Sequence, residues 1–400
     1  MCFSARAVES PLWAKSSGSG CRSRTRMGKG QRSDQKGTLM SRFASHVLLG
    51  CCILGAALPA NAGQLPQVRV GNIRRVFHNG EHNAFTDLVR FGDKFYLTFR
   101  SCPDGHMVHP TASIIILSSS DAKEWKQVHR FSVAKRDTRD PHFLVFRNTL
   151  FLYTGTWYCG MTSPKPGDYD LNQHLGYAAW SKDGVQWHSP ILLEGTFGHY
   201  IWRANAFGEK AYLCGRRKKD FAMAPRGEGP MVESAMLESD DGLIWRTRAL
   251  FQEINGDETA FQFEADGSII AIGRRGSDKA QLLRSQQPYT QWERRELDRY
   301  IGGPLLTSWG NRYVVGGRKI VGDKGPKTSL CWLVPAATRP FGPGQLHEFA
   351  ELPSGGDNSY PGFVAISPTR ALVSWYSSHE KDANNQVITA IYLADLEIVE

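Results

Sequence analysis

The chain has 400 residues, a formal net charge of +9, 41% hydrophobic and 22% charged residues, which excludes a disordered or fibrous protein. The charge is local: residues 1–62 hold nine basic and two acidic side chains, whereas the remainder holds 39 against 37. A polyanion-binding body is therefore excluded, and no nucleic-acid partner is expected.

Residues 1–39 are rich in Ser, Gly and Arg without an apolar period. They are not expected to pack, and they read as an extension upstream of a true start at Met40. From Met40 to Arg42 the chain is short and basic. An apolar run from Val47 to Leu58 follows, then Ala60-Asn61-Ala62. That order predicts a secretory signal peptide over 40–62, cleaved after Ala62. The run is shorter than the roughly 20 apolar residues a bilayer span needs, so no stable membrane insertion is expected. Leu48-Leu49-Gly50-Cys51 resembles a lipoprotein box, but few apolar residues precede it, which favours cleavage after Ala62. Residues 63–400 then form one secreted or periplasmic domain, expected to be a monomer.

A short pattern recurs six times along 63–400: a turn, then an alternating apolar strand, often closing on Arg. The copies are Phe91-GDKFYLTFR-Ser101, Phe146-RNTLFLYTG-Thr156, Phe207-GEKAYLCGR-Arg217, Ala265-DGSIIAIGR-Arg275, Trp309-GNRYVVGGR-Lys319 and Ser367-PTRALVSWYS-Ser378. The strands alternate with period two and no stretch has a helical period. A second pattern, Ser-x-Asp-(Gly/Ala)-x-x-Trp, occupies Ser119–Trp125, Ser181–Trp187 and Ser239–Trp245, with a decayed copy at Ser285–Trp292. Its Ser and Asp suit a tight turn capping a hairpin, and the Trp is expected to pack outward. Repeats of this length predict an all-β fold, a six-bladed β-propeller.

The second pattern is the Asp-box, and the repeats resemble the sialidase superfamily over roughly residues 70–400. Asp-boxes mark the scaffold and carry no chemistry. In a propeller the innermost strands line the axis, so the segments before the repeated strands should supply a pocket. Glu258-TAFQFEA-Asp266-Gly267-SIIAIG-Arg274 keeps the spacing that sialidases show. By that resemblance Glu258 is the base partner of a tyrosine nucleophile, and Arg274 joins a cluster gripping the substrate. Paired guanidinium hydrogen bonds suit a carboxylate. A tyrosine needs a neighbouring base to attack. The last blade places Tyr360 as that nucleophile. Arg318 and Arg100 close equivalent strands, and Arg203, Arg139 and His379 are further candidates for substrate binding.

Two departures stand out. The Arg that sialidases carry on the first inner strand is absent, the matching stretch being Ala84-Phe85-Thr86. The usual Asp acid is Ser113, which leaves Asp104, His106 or His109 as proton donors. A sialidase-like hydrolase of an acidic or modified terminal sugar is the leading expectation. Arg139-Asp140-Pro141 also resembles a furanosidase strand, in which Asp87, Asp140 and Glu258 would act as carboxylate catalysts. A third possibility is a carbohydrate-binding propeller using Trp157, Tyr158, Trp202 and His379. Carbohydrate is the partner in every case, and no cofactor or metal is expected.

Four cysteines remain after the leader, without a CxxC pair. Cys214 and Cys331 lie in apolar strand patterns and should be buried thiols. Cys102 and Cys159 follow equivalent strands of consecutive blades and are expected to form a disulfide.

Overall fold

The computed structural model describes residues 65–223, 231–335 and 344–399; the expected signal peptide and its cleavage site lie outside the described residues. Six four-stranded antiparallel sheets follow one another along the chain. The first five occupy 82–131, 136–192, 200–252, 259–296 and 302–352, each with its strands in sequence order. The sixth takes three strands from 358–399 and its outer strand from Gln67–Phe77, which pairs antiparallel with Val387–Val399. Both ends of the domain therefore meet in one blade, closing the ring. The fold is a six-bladed β-propeller.

The repeated pattern is the turn and second strand of each blade, and the segment before it is the innermost strand. Apolar side chains from neighbouring sheets fill the space between blades. Trp309, Trp332 and Trp375 are each essentially inaccessible to solvent, and Trp309 stacks on Trp332 at 5.6 Å.

The Asp-boxes connect third and fourth strands. Asp121, Asp183 and Asp241 each accept two backbone N–H groups through Oδ1, at 2.8–3.1 Å, and a bond from their own Ser hydroxyl at 3.0 Å. The Trp of the third box does not point outward as expected, and Trp125 and Trp187 of the other two are partly buried. Trp245 is 3% exposed and meets the Tyr153 ring of the preceding blade edge-on at 5.5 Å, while the Tyr153 hydroxyl donates to Gly242. Turning the indole outward would expose a large apolar surface, whereas here it joins two blades.

Cys214 and Cys331 are buried, as their strand patterns predict. The Cys102–Cys159 disulfide is not formed: both are free thiols. Cys102 pairs across its sheet with His82 and lies beside the Thr111 hydroxyl, and the Cys159 thiol donates to Lys135 O at 3.4 Å. Equivalent positions in successive blades are rotated about the axis and need not converge.

Candidate active site

Innermost strands build the site through one recurrent irregularity. Five of the six carry a two-residue interruption in their pairing with the second strand: Phe85-Thr86, Asp140-Pro141, Trp202-Arg203, Gly303-Pro304 and Tyr360-Pro361. Three end in Pro, which has no N–H to leave unpaired. Phe85, Asp140, Gly303 and Tyr360 have φ of 63°, 51°, 59° and 52°. That conformation is costly for residues with a side chain and clusters at functional sites. It brings Phe85, Trp202 and Tyr360 into contact: the Tyr360 ring lies 5.0 Å from Phe85 and 5.3 Å from Trp202. Gly303 is required twice over. Its φ is positive, and a Cβ there would stand 2.6 Å from the Tyr360 ring.

Tyr360 donates its hydroxyl to Glu258 Oε1 at 2.9 Å. Glu258 Oε2 accepts from Arg274 at 2.8 Å and from the Gly303 N–H at 3.0 Å. Arg274 also reaches the Tyr360 hydroxyl at 3.4 Å, and Arg318 lies over the Tyr360 ring at 5.4 Å. Burial and the Glu258 charge push Tyr360 well above the usual phenol range, against the opposing pull of Arg274 and Arg318. The phenol is thus neutral at rest and already bonded to the base that would take its proton.

The closing arginines of the repeat occupy equivalent register positions. Arg100 faces Ala84, Arg216 faces Tyr200, and Arg318 faces Gly302, while the Arg274 N–H donates to Glu258 O. Arg216, Asp257 and Arg274 line a cavity of about 720 Å³ together with His106, Trp157 and Arg275. Arg216 holds Asp257 at 2.7 Å, and Arg318 holds Asp357 at 3.0 Å. Sequence reasoning passed over Arg216, although it closes the third copy of the repeat. Asp257 and Asp357 lie in the segments before the repeated strands from which a pocket is expected, but the sequence assigned them no role.

Asp357 is a meeting point. Its Oδ2 lies 3.0 Å from His82 Nε2 and 2.8 Å from His106 Nδ1, and its Oδ1 accepts from Arg318 and from Tyr376 at 2.9 Å. Burial alone would raise this carboxyl, but bonds from His106 and His82 and the Arg318 charge hold it well below the usual range. His82, His106 and Asp357 bring three potential metal-ligand atoms within 4.8 Å of one another, as do Cys102, Asp104 and His109. At the first group the Arg318 guanidinium already occupies the carboxylate, and its charge opposes a second cation.

Other predicted residues are committed elsewhere. Arg203 donates to Pro304 O, Pro361 O and Asp87, tying the interruptions of blades five and six to blade one beneath Tyr360. Asp87 also accepts the Phe143 N–H at 2.8 Å and lies 3.6 Å from His142. Burial opposes its ionisation, but His142 and Arg203 outweigh this and lower its pKa. Arg100 and Arg139 both bind Asp137, and none of the three side chains opens onto the cavity. His379 packs on Tyr392 and bonds Ser377, apart from the cluster. Trp157 lines the cavity, Trp202 is buried under Tyr360, and Tyr158 is half-exposed.

Asp140 is 4% exposed, and its Oδ1 has no hydrogen-bond partner. Burial, then the Glu258 charge, push its carboxyl up to about 8 despite Arg139. The folded protein holds this proton, whereas the unfolded chain releases it above roughly pH 4. Asp140 therefore lowers stability progressively as pH rises from about 4 to about 8, and the loss levels off above. Asp140→Asn removes the ionisation. Its stability relative to wild type should climb by up to about 1.4 kcal/mol per pH unit across that window, as measured by denaturant unfolding.

Comparisons place the fold. No protein-family model and no curated protein matches the sequence. Among solved structures, the chain is similar to a protein of unknown function from Dyadobacter fermentans, with TM-score 0.66 and 18% identity over 84% of this chain and 100% of the other. It is similar to Trypanosoma rangeli sialidase in complex with the inhibitor DANA, with TM-score 0.59 and 12% identity over 78% of this chain and 55% of that one. Phage phi92 endosialidase gives TM-score 0.56 and 9% identity, covering 82% and 69%. The chain thus spans little more than half the trypanosomal enzyme. The architecture is the sialidase-type propeller.

Proposed function

We propose that the protein is an exo-acting glycoside hydrolase of an acidic or modified terminal sugar, with Tyr360 as nucleophile and Glu258 as its base. The observation that carries this reading is the 2.9 Å bond from the Tyr360 hydroxyl to Glu258, with Arg274 bonded to Glu258 and Arg318 over the Tyr360 ring. As Tyr360 oxygen attacks the anomeric carbon, its proton passes to Glu258, and Arg274 steadies the developing charge. A cavity of about 720 Å³ adjoins the pair through Arg274, and its volume suits a ligand of a few rings.

The arginines bear on the substrate. Arg216, Arg274 and Arg318 each face a resident carboxylate, and Ala84 stands where sialidases carry their first arginine. Arg275, at the same cavity, has no ionic partner among the described residues and is free to meet an acidic substituent. The Asp87–Asp140–Glu258 reading is less well supported, because Asp87 is saturated by Arg203, His142 and the Phe143 N–H.

Purified 63–400 assayed on a panel of aryl glycosides tests the proposal. At least one acidic or modified glycoside should turn over, and an α-sialoside should be a poor substrate. Absence of turnover across the panel would sink the enzyme reading in favour of a binder; efficient sialic acid release would show that Ala84 in place of the first arginine does not exclude it. The proposal includes export, on the strength of the basic, apolar and Ala-x-Ala segments of 40–62. Intact mass of the exported full-length product should place its N-terminus at Gly63, and retention of Met1 would refute cleavage.

A further inference from the structure

Three buried side chains in blades one and two hold a single surface loop. Arg100 donates to Gly105 O at 2.9 Å and Met107 O at 3.0 Å, and Arg139 donates to His106 O at 3.1 Å. Both arginines are fixed by Asp137, each through two bonds, and Asp137 also accepts the His109 N–H at 2.7 Å. Surface loops ordinarily turn their carbonyls to water. Here three consecutive carbonyls are tied to buried guanidinium groups.

The side chain this clamp presents is His106. Its Nδ1 is committed to Asp357 across the ring closure, so Nε2 is the nitrogen left to exchange a proton. Among the loop's titratable groups only His106 lines the cavity, because Asp104 and His109 pair with each other at 3.0 Å. His106 meets the Phe85 ring edge-on at 5.8 Å, and Tyr360 meets the same ring at 5.0 Å. Arg274, which lines the same cavity as His106, reaches the Tyr360 hydroxyl at 3.4 Å, so a sugar held there lies between His106 and Tyr360.

We infer that His106 is the proton donor to the departing oxygen, with Asp357 as its positioning residue. The inference rests on the glycosidase reading above. As the bond from Tyr360 oxygen to the anomeric carbon forms, the bond to the leaving oxygen breaks, and that oxygen takes the proton from His106 Nε2. In the second step neutral His106 takes a proton from water, whose oxygen attacks the anomeric carbon. The tyrosyl bond breaks and Tyr360 recovers its proton from Glu258.

A donor to the leaving group matters in proportion to how poor that group is. The test uses the 2,4-dinitrophenyl and methyl glycosides of the sugar that the panel identifies. His106→Ala and Asp357→Asn should lower kcat/KM by about 10²-fold or more on the methyl glycoside and by less than about fivefold on the dinitrophenyl one. His106→Gln should behave as His106→Ala does. An equal loss on both substrates would overturn the assignment while leaving the hydrolase standing. A leaving-group-dependent loss in Asp140→Asn, with none in His106→Ala, would transfer the role to Asp140 and overturn it too. Should Tyr360→Phe keep full activity while the His106 pattern holds, the donor stands and the nucleophile fails. No turnover by wild type overturns both.

Discussion

Tyr360→Phe should lower kcat/KM by about 10³-fold or more on every glycoside the wild type hydrolyses, good leaving groups included. The ring, its packing against Phe85 and Trp202, and the positive φ all remain possible with Phe, so only the attacking oxygen is lost. The stability change should stay within about 1–3 kcal/mol, because Glu258 Oε1 loses the Tyr360 hydroxyl while Oε2 keeps Arg274 and the Gly303 N–H. Glu258→Gln removes the base and should lower turnover comparably. It also takes a buried carboxylate from Arg274, leaving Asp257 at 3.4 Å as its remaining ion-pair partner, so its stability cost should exceed that of Tyr360→Phe. Steady-state kinetics with parallel thermal melts separates the two effects. Unchanged turnover in Tyr360→Phe would rule out a tyrosine nucleophile.

Asp137→Ala should produce the largest loss of stability of any single substitution considered. Asp137 and Arg100 are inaccessible to solvent and Arg139 nearly so. Burial opposes ionisation of Asp137, but Arg139 and Arg100 outweigh it and bring the carboxyl down to about 2. Deleting the carboxylate leaves two buried cations facing each other without compensation, a change that typically costs about 3–5 kcal/mol. The loop at 105–107 hangs on those same guanidinium groups, so activity on alkyl glycosides should fall further than activity on dinitrophenyl ones. Denaturant unfolding and the two-substrate ratio check both parts. A stability loss below about 1 kcal/mol would show that the triad is not the anchor described here.

Much of this architecture is legible in the sequence because repetition amplifies weak signals. One alternating strand is ambiguous; six, interleaved with three Asp-boxes, specify blades. The resemblance to sialidases singles out Glu258, Arg274 and Tyr360, and they meet around one phenol hydroxyl. What spacing does not reveal is which charges already have partners. Arg100, Arg139 and Arg203 look like substrate-gripping residues in the sequence. In the fold they neutralise Asp137 and Asp87 and hold backbone carbonyls. Their partners come from a neighbouring blade, from blades farther round the ring, or lie two residues away on the same strand, and no periodicity encodes such pairings. The His82–Asp357 contact joins residues 275 positions apart and exists only because the ring closes. The unformed disulfide has the same cause, since equivalence along the repeat is not proximity in space.

Trapping the intermediate tests the central claim most directly. Protein quenched in acid during turnover of the dinitrophenyl glycoside should carry one glycosyl residue, and peptide mapping by mass spectrometry should place it on Tyr360. A glycosyl adduct on Glu258, Asp140 or Asp87 would contradict the account, as would no adduct under conditions in which the second step limits turnover.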